Sequence, residues 1–216
     1  MPALSASELL LVWEQGRLEA PHERSLTMLA SVDPTRQDGS LSELTVAERD
    51  AQLLALREDT FGSRIETVVD CPACDEALEL ALDTRELAGE AQDRDVHSIG
   101  VDGGKASFRL PTCGDVAGVA GEGDVAGAAA KLLERCVIDP PAAGLSDLDR
   151  AAVVDRMAEL DPLAALELEV ACPACGHVCS AGFDIASFLW KEVEAAARRT
   201  LEDVHALASA YGWCEA

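Results

Sequence analysis

The chain has 216 residues, enough for one or two domains with a sizeable core. Hydrophobic residues make up 49 % but aromatics only 4 %, a balance that suits helices packed through small side chains better than an aromatic-rich barrel. With 17 Lys plus Arg against 40 Asp plus Glu, the net charge of −23 argues against nucleic acid and against an anionic membrane surface, and no apolar run approaches the ~18–20 residues of a membrane span.

The opening stretch, MPALSASELLLVWEQG, lacks a basic flank and carries Glu8 and Glu14 around its apolar run. It does not read as a signal peptide, so a cytoplasmic protein is expected. Ser5 and Glu8 have capping-box spacing for a first helix, with Gly16 as its stop. Pro21 suits the first turn of a second helix. Thr45 and Glu48 form another capping box for a third, and Gly62 lies past its end.

The period then changes. SRIETVVD is short and β-branched, and EALELAL alternates with Leu78, Leu80 and Leu82 on one side. Between them sits Cys71-Pro72-Ala73-Cys74, which predicts a β-hairpin with the cysteine motif as its turn. Further on, DVHSIGVDGGKASFRLP predicts a small hairpin turning at Asp102, Gly103 and Gly104. CGDVAGVAGEGDVAGAAAKLLERCV reads as one or two helices rich in Gly and Ala. Another helix starts near Ser146 and stops before Pro162. LAALELEVA, Cys172-Pro173-Ala174-Cys175 and GHVCSAGFD then repeat the strand–cysteine–strand pattern. Asp184 caps the longest helix, whose apolar stripe is read as Ile185, Phe188, Leu189, Val193, Ala196, Ala197, Leu201, Val204, Ala208 and Tyr211, with Gly212 as its end. Trp190 is placed off this stripe, either as a partner contact or packed against the zinc hairpin.

The expected fold class is α+β: a mainly helical body, two small β-hairpins forming a four-cysteine zinc ribbon, and a long C-terminal helix. The expected segments are residues 1–62 (helical), 63–83 (first knuckle hairpin), 84–162 (mixed, mainly helical insertion), 163–184 (second knuckle hairpin) and 185–216 (final helix), all in one integrated domain.

The eight cysteines carry the chemistry. Without an export signal, C-x-x-C pairs favour metal or redox chemistry over structural disulfides. A C-x-x-C turn at a hairpin tip aims both sulfurs at one ion, and structural zinc takes four ligands in a tetrahedron. One knuckle is therefore half a site, and the expected ligands of a structural Zn2+ are Cys71, Cys74, Cys172 and Cys175. Gly176 fits the tight turn after the second pair, whereas Asp75 makes the first less ideal. The 97 residues from Asp75 to Ala171 are tolerable because loop closure grows only logarithmically in cost. The rival is a pair of thiol redox motifs, but those sit between a strand and a helix, and strands flank both motifs here. His177 and Cys179 are spare ligand candidates, and Cys113, Cys136 and Cys214 read as packing residues.

No catalytic pattern emerges. The four His, at 22, 97, 177 and 205, show no H-E-x-x-H spacing, and His205 reads as structural. GVDGGKAS is one residue short of a phosphate loop and lacks Ser or Thr directly after Lys105.

The order of features is more specific than any single one. ERDAQLLALREDTFG, a knuckle, FRLPT, LLERCV, RMAELDPLAALELEVACPACG and FDIASFLWKEVEAAARRTLEDVHALASAYGW together resemble the family of T-even-phage-type baseplate proteins, described as baseplate hub assembly chaperones. Relatives of that family occur with contractile phage tails and phage-tail-like injection systems. The resemblance covers nearly the whole chain and is most specific over residues 157–213. It implies a non-enzymatic role in building the baseplate or hub, with baseplate, hub, spike or tube proteins as partners and no small-molecule substrate. It implies no zinc; that expectation rests on the cysteines themselves. The rivals are a cytoplasmic zinc-ribbon adaptor or regulator and, less favoured, a thiol oxidoreductase.

Overall fold

The structure, a computed structural model, describes residues 2–33, 39–87, 95–102, 104–141, 144–164 and 166–213. Three helices open the chain: α1 (Ala6–Gly16), α2 (Pro21–Val32) and α3 (Val46–Phe61). Their starts follow from local chemistry. Ser5 and Glu8 exchange both capping-box hydrogen bonds, as do Thr45 and Glu48, and Pro21 is the first residue of α2.

Gly62 ends α3 with φ 92°, and the chain enters β1 (Arg64–Asp70), paired antiparallel with β2 (Ala77–Asp83). Ile65 and Leu78 point inward. A single turn, α4 (Thr84–Leu87), follows β2. β3 (His97–Val101) and β4 (Gly104–Phe108) form the expected second hairpin, with Val101 opposite Gly104; Gly103 lies outside the described residues. Two helices follow, α5 (Cys113–Val119) and α6 (Val125–Cys136). β5 (Val137–Asp139) then joins the edge of β4. β5 is a departure from the helical reading of LLERCV. The helix stops at Cys136, and two β-branched residues gain an edge pairing instead.

α7 (Asp147–Leu160) starts at Ser146, whose side chain caps it, and ends before Pro162. β6 (Glu167–Ala171) and β7 (Val178–Gly182) make the third hairpin. α8 (Ile185–Tyr211) begins where the Asp184 carboxylate accepts the N–H groups of Ala186 and Ser187, and ends at Gly212 in the left-handed conformation. Among the described residues, no helix is long and apolar enough to cross a membrane.

Three apolar clusters organise this α+β chain. The largest joins α1–α3 to the first half of α8 through Val12, Met28, Leu53, Leu56, Leu189 and Val193. A second lies between β3–β4 and helices α6 and α7, around Phe108, Leu133 and Val153. The smallest is a seam between the two cysteine hairpins.

Two sequence readings are corrected here. Gly16 is the last residue of α1 rather than its stop. A Cβ at that position would lie 2.6 Å from Trp190 Cζ3, so glycine is required by a close approach of α8. Trp190 is buried in the main cluster, where it meets Gly16 of α1 and Arg24 of α2 rather than standing free for a partner. It lies three residues before Val193 and seven before Ala197, which is the same helical face. The Arg24 guanidinium covers its ring at 4.8 Å. Phe188 is the residue off that face, half-buried beside Phe183 and Arg57. Beyond Thr200 the stripe continues, but Leu201, Val204, Leu207 and Tyr211 are exposed, as is Trp213 just after the helix.

Candidate metal centre

The two cysteine hairpins grow from neighbouring helix ends. β1 follows the C-terminus of α3, and β7 leads into the N-terminus of α8. Near these ends, Arg57, whose side chain is 3 % exposed, joins the root of the first hairpin to α8. Its Nε and Nη2 donate to the two carboxylate oxygens of Glu192 at 3.0 and 2.9 Å, while Nη1 donates to the Gly62 carbonyl and Nη2 also to that of Arg64. Such a bidentate pair joins α3, α8 and the root of β1.

Between base and tip, Leu78 and Val170 pack across the gap, flanked by Leu80, Leu168 and Cys179. At the tip the two knuckles face each other. In the first, Cys71 N–H donates to the Glu76 carbonyl and Asp75 N–H to the Cys71 carbonyl. The second repeats both bonds, from Cys172 to His177 and from Gly176 to Cys172. The residue after each motif is left-handed: Gly176 at φ 73° and Asp75 at φ 57°. Glycine takes this conformation without cost, whereas Asp carries a Cβ penalty. The two knuckles thus share one backbone turn, and only the first carries the cost of a Cβ in it.

The four sulfurs of Cys71, Cys74, Cys172 and Cys175 lie within 4.8 Å of one another and could hold a metal ion. Cys71 and Cys175 are 3.7 Å apart at sulfur, as are Cys74 and Cys172. A tetrahedron with metal–sulfur bonds of about 2.3 Å has edges of about 3.8 Å. The cluster thus has the size of a mononuclear tetrahedral thiolate site, and a disulfide, at about 2.05 Å, is far shorter. Cys71 and Cys172 are buried, while Cys74 and Cys175 are exposed.

Electrostatics favour a cation. The N–H groups of Cys175 and Ala174 donate toward Cys172 and lower its thiol to about 7. At Cys74 the Glu76 N–H acts downward, but the sulfurs of Cys175, Cys172 and Cys71 push the thiol up to about 12. At Cys175 the His177 N–H also acts downward, and burial with the Cys172 and Cys71 sulfurs outweighs it, for a net rise. Ionising one sulfur penalises the next, and a central divalent ion removes that penalty.

The spare candidates stand apart. His177 is exposed and meets the knuckle through its backbone. The Cys179 thiol, half-buried in the seam, points at the Val170 carbonyl at 3.6 Å. Cys113 and Cys136 are buried away from the site, and burial raises both thiols. Cys214 lies outside the described residues. His205 is exposed on α8. Sequence reasoning missed Arg57 and Glu192, because a charged pair 135 residues apart leaves no local signal.

Comparison with known families gives one match: residues 6–139 fit the model of the T4 bacteriophage base plate protein. No curated protein and no solved structure matches. The matched span holds α1–α3, the first knuckle and the inserted sheet, and leaves out residues 157–213, where the sequence resemblance looked most specific. With well over half of its 216 residues inside the match, the chain belongs to the T4 bacteriophage base plate protein family.

Proposed function

We propose that this chain helps to build the baseplate or hub of a contractile phage tail or phage-tail-like injection particle, as an assembly chaperone or a structural component, without catalysis of its own. Membership of the base plate family carries this reading. Its partners are then baseplate, hub, spike or tube proteins, met in the cytoplasm. The exposed apolar side chains of α8, from Leu201 to Trp213, support a role in protein contacts.

The metal we assign to Cys71, Cys74, Cys172 and Cys175 is zinc. Four thiolates at tetrahedral spacing, with neither His nor carboxylate among them, suit a closed structural site. Zinc there ties the hairpin tips while Arg57 and Glu192 join the root of the first hairpin to α8, so that α8 leaves the body in one fixed direction.

Tagged chain purified from cells that make the particle is expected to bring baseplate, hub, spike or tube proteins with it. Purification free of all of them overturns the assembly role. Mass spectrometry of mature particles then separates the two forms of the proposal, since a component stays and a chaperone leaves. Elemental analysis is expected to give close to one zinc per chain.

A further inference from the structure

The two sulfur–sulfur contacts with hydrogen-bond geometry among the described residues both run between hairpins, not within a C-P-A-C turn. Each joins a buried cysteine to an exposed one: Cys71 to Cys175, and Cys172 to Cys74. The seam of Leu78, Val170, Leu80 and Leu168 lies beside the cysteines and packs the two hairpins against each other without needing an ion for its own contacts. Within each knuckle, the turn hydrogen bonds fix the backbone that carries both cysteines. Closing a cross pair from 3.7 Å to the disulfide length needs a movement of about 1.7 Å, within reach of side-chain rotation and a small approach of the hairpins.

We propose that, when the metal is lost, a hydroperoxide oxidant joins the hairpins crosswise, as Cys71–Cys175 and Cys74–Cys172 disulfides. The exposed thiol of each pair attacks the peroxide, the O–O bond breaks, and a sulfenic acid and one water form. The buried partner thiol then attacks that sulfur; the S–S bond forms, the S–O bond breaks, and a second water leaves carrying the thiol proton. Two thiols and one hydrogen peroxide give one disulfide and two waters, and two electrons pass from sulfur to the peroxide oxygens. The crosswise pairing matters because disulfides within each turn would free the tips, whereas crosswise bonds keep them joined. The same four residues then fasten the hairpins through a metal in reducing surroundings and through covalent bonds in oxidising ones. The inference rests on the metal-centre reading only for the ion's protective role.

The test uses the full chain, with its metal content measured first. One portion is stripped by a chelator, and both portions are treated with hydrogen peroxide, digested without reduction and mapped by mass spectrometry. The stripped protein is expected to give the two crosswise pairs in excess over within-turn pairs, on the order of ten-fold. The loaded protein is expected to react more slowly by a similar factor. Predominance of Cys71–Cys74 and Cys172–Cys175, of pairs with Cys179, or of sulfinic acids without disulfide overturns the proposal. The double variant Cys71→Ser with Cys175→Ser, which keeps a crosswise pair, should oxidise to a disulfide faster than Cys172→Ser with Cys175→Ser, which keeps a turn pair. The reverse order also overturns it. Starting protein free of metal sinks the metal-centre reading alone, and the disulfide map still decides this one.

Discussion

Replacing Cys172 by Ala opens the candidate metal ring, and its cost follows from chain geometry. The two crosswise contacts span 98 and 104 residues. Cross-linking a loop of about 100 residues removes unfolded-state entropy worth about 4.7 kcal/mol at 25 °C in the chain-entropy picture. The apolar seam under the cluster remains in the variant and keeps part of the native contact, so we expect a loss of about 4 kcal/mol. For a chain of this size each kcal/mol moves the melting temperature by about 2–4 °C, which places the shift on the order of 10 °C. Differential scanning calorimetry of four samples decides it: native and variant protein, each with and without a strong chelator. The chelator should lower the native melt to that of the variant and leave the variant unmoved. Equal melting temperatures for native protein and variant, or an equal chelator effect on both, would refute the ring.

Gly16→Ala should destabilise by about 1–2 kcal/mol in chemical denaturation despite its better helix propensity, because the new Cβ would stand 2.6 and 2.7 Å from two atoms of the buried Trp190 ring; an unchanged midpoint would show that α8 can shift at no cost. Glu192→Ala should cost about 3 kcal/mol by leaving the buried Arg57 guanidinium without its counter-charge, and a loss no larger than that of an exposed pair would contradict the proposed tie. Asp75→Gly should stabilise by about 0.5 kcal/mol by relieving the left-handed Asp, with the metal content unchanged. Asp115 gives a pH test. Burial alone would raise its carboxyl, but hydrogen bonds from Arg109, Thr112 and Arg135 outweigh that and hold it below the usual range. A lowered folded value means stability that is present above the unfolded value of 3.8 and lost as the pH falls below it. Asp115→Asn should therefore cost about 3 kcal/mol at pH 7, with the gap to native protein narrowing below pH 3.8; a gap independent of pH would contradict the charge argument.

Much of the fold was legible because local chemistry and tertiary packing agree. Ser5, Thr45, Ser146 and Asp184 each start the helix that their sequence position predicts. The alternation of Leu78, Leu80 and Leu82 marks a strand with one inward face. The cysteine cluster was readable because the motif repeats in the same strand context. The rest depends on neighbours distant in sequence. β5 has three residues, too few for a period, and exists only through its pairing with β4. Trp190 and Phe188 exchange their expected faces because the buried side of α8 is set by where α1 and α2 stand. Gly16 reads as a punctuation residue until the indole beside it is seen. A periodic apolar stripe on α8 gives no indication that its second half is left uncovered.

The main cluster combines the first three helices with Leu189, Trp190 and Val193 of α8. A chain emerging from the ribosome therefore makes α1–α3 well before the helix that completes their core. In the interval it must carry Met28, Leu53 and Leu56 without their α8 contacts, and the first knuckle without Cys172 and Cys175. The inserted sheet with α6 and α7 holds a separate apolar cluster and can order during this wait. Closing the main core is then a long-range event of high contact order, slow for topological reasons and completed only after α8 has been made. Timing follows from topology: α8 docks late, the knuckles meet with it, and the four cysteines come together only in a chain whose other parts are already in place.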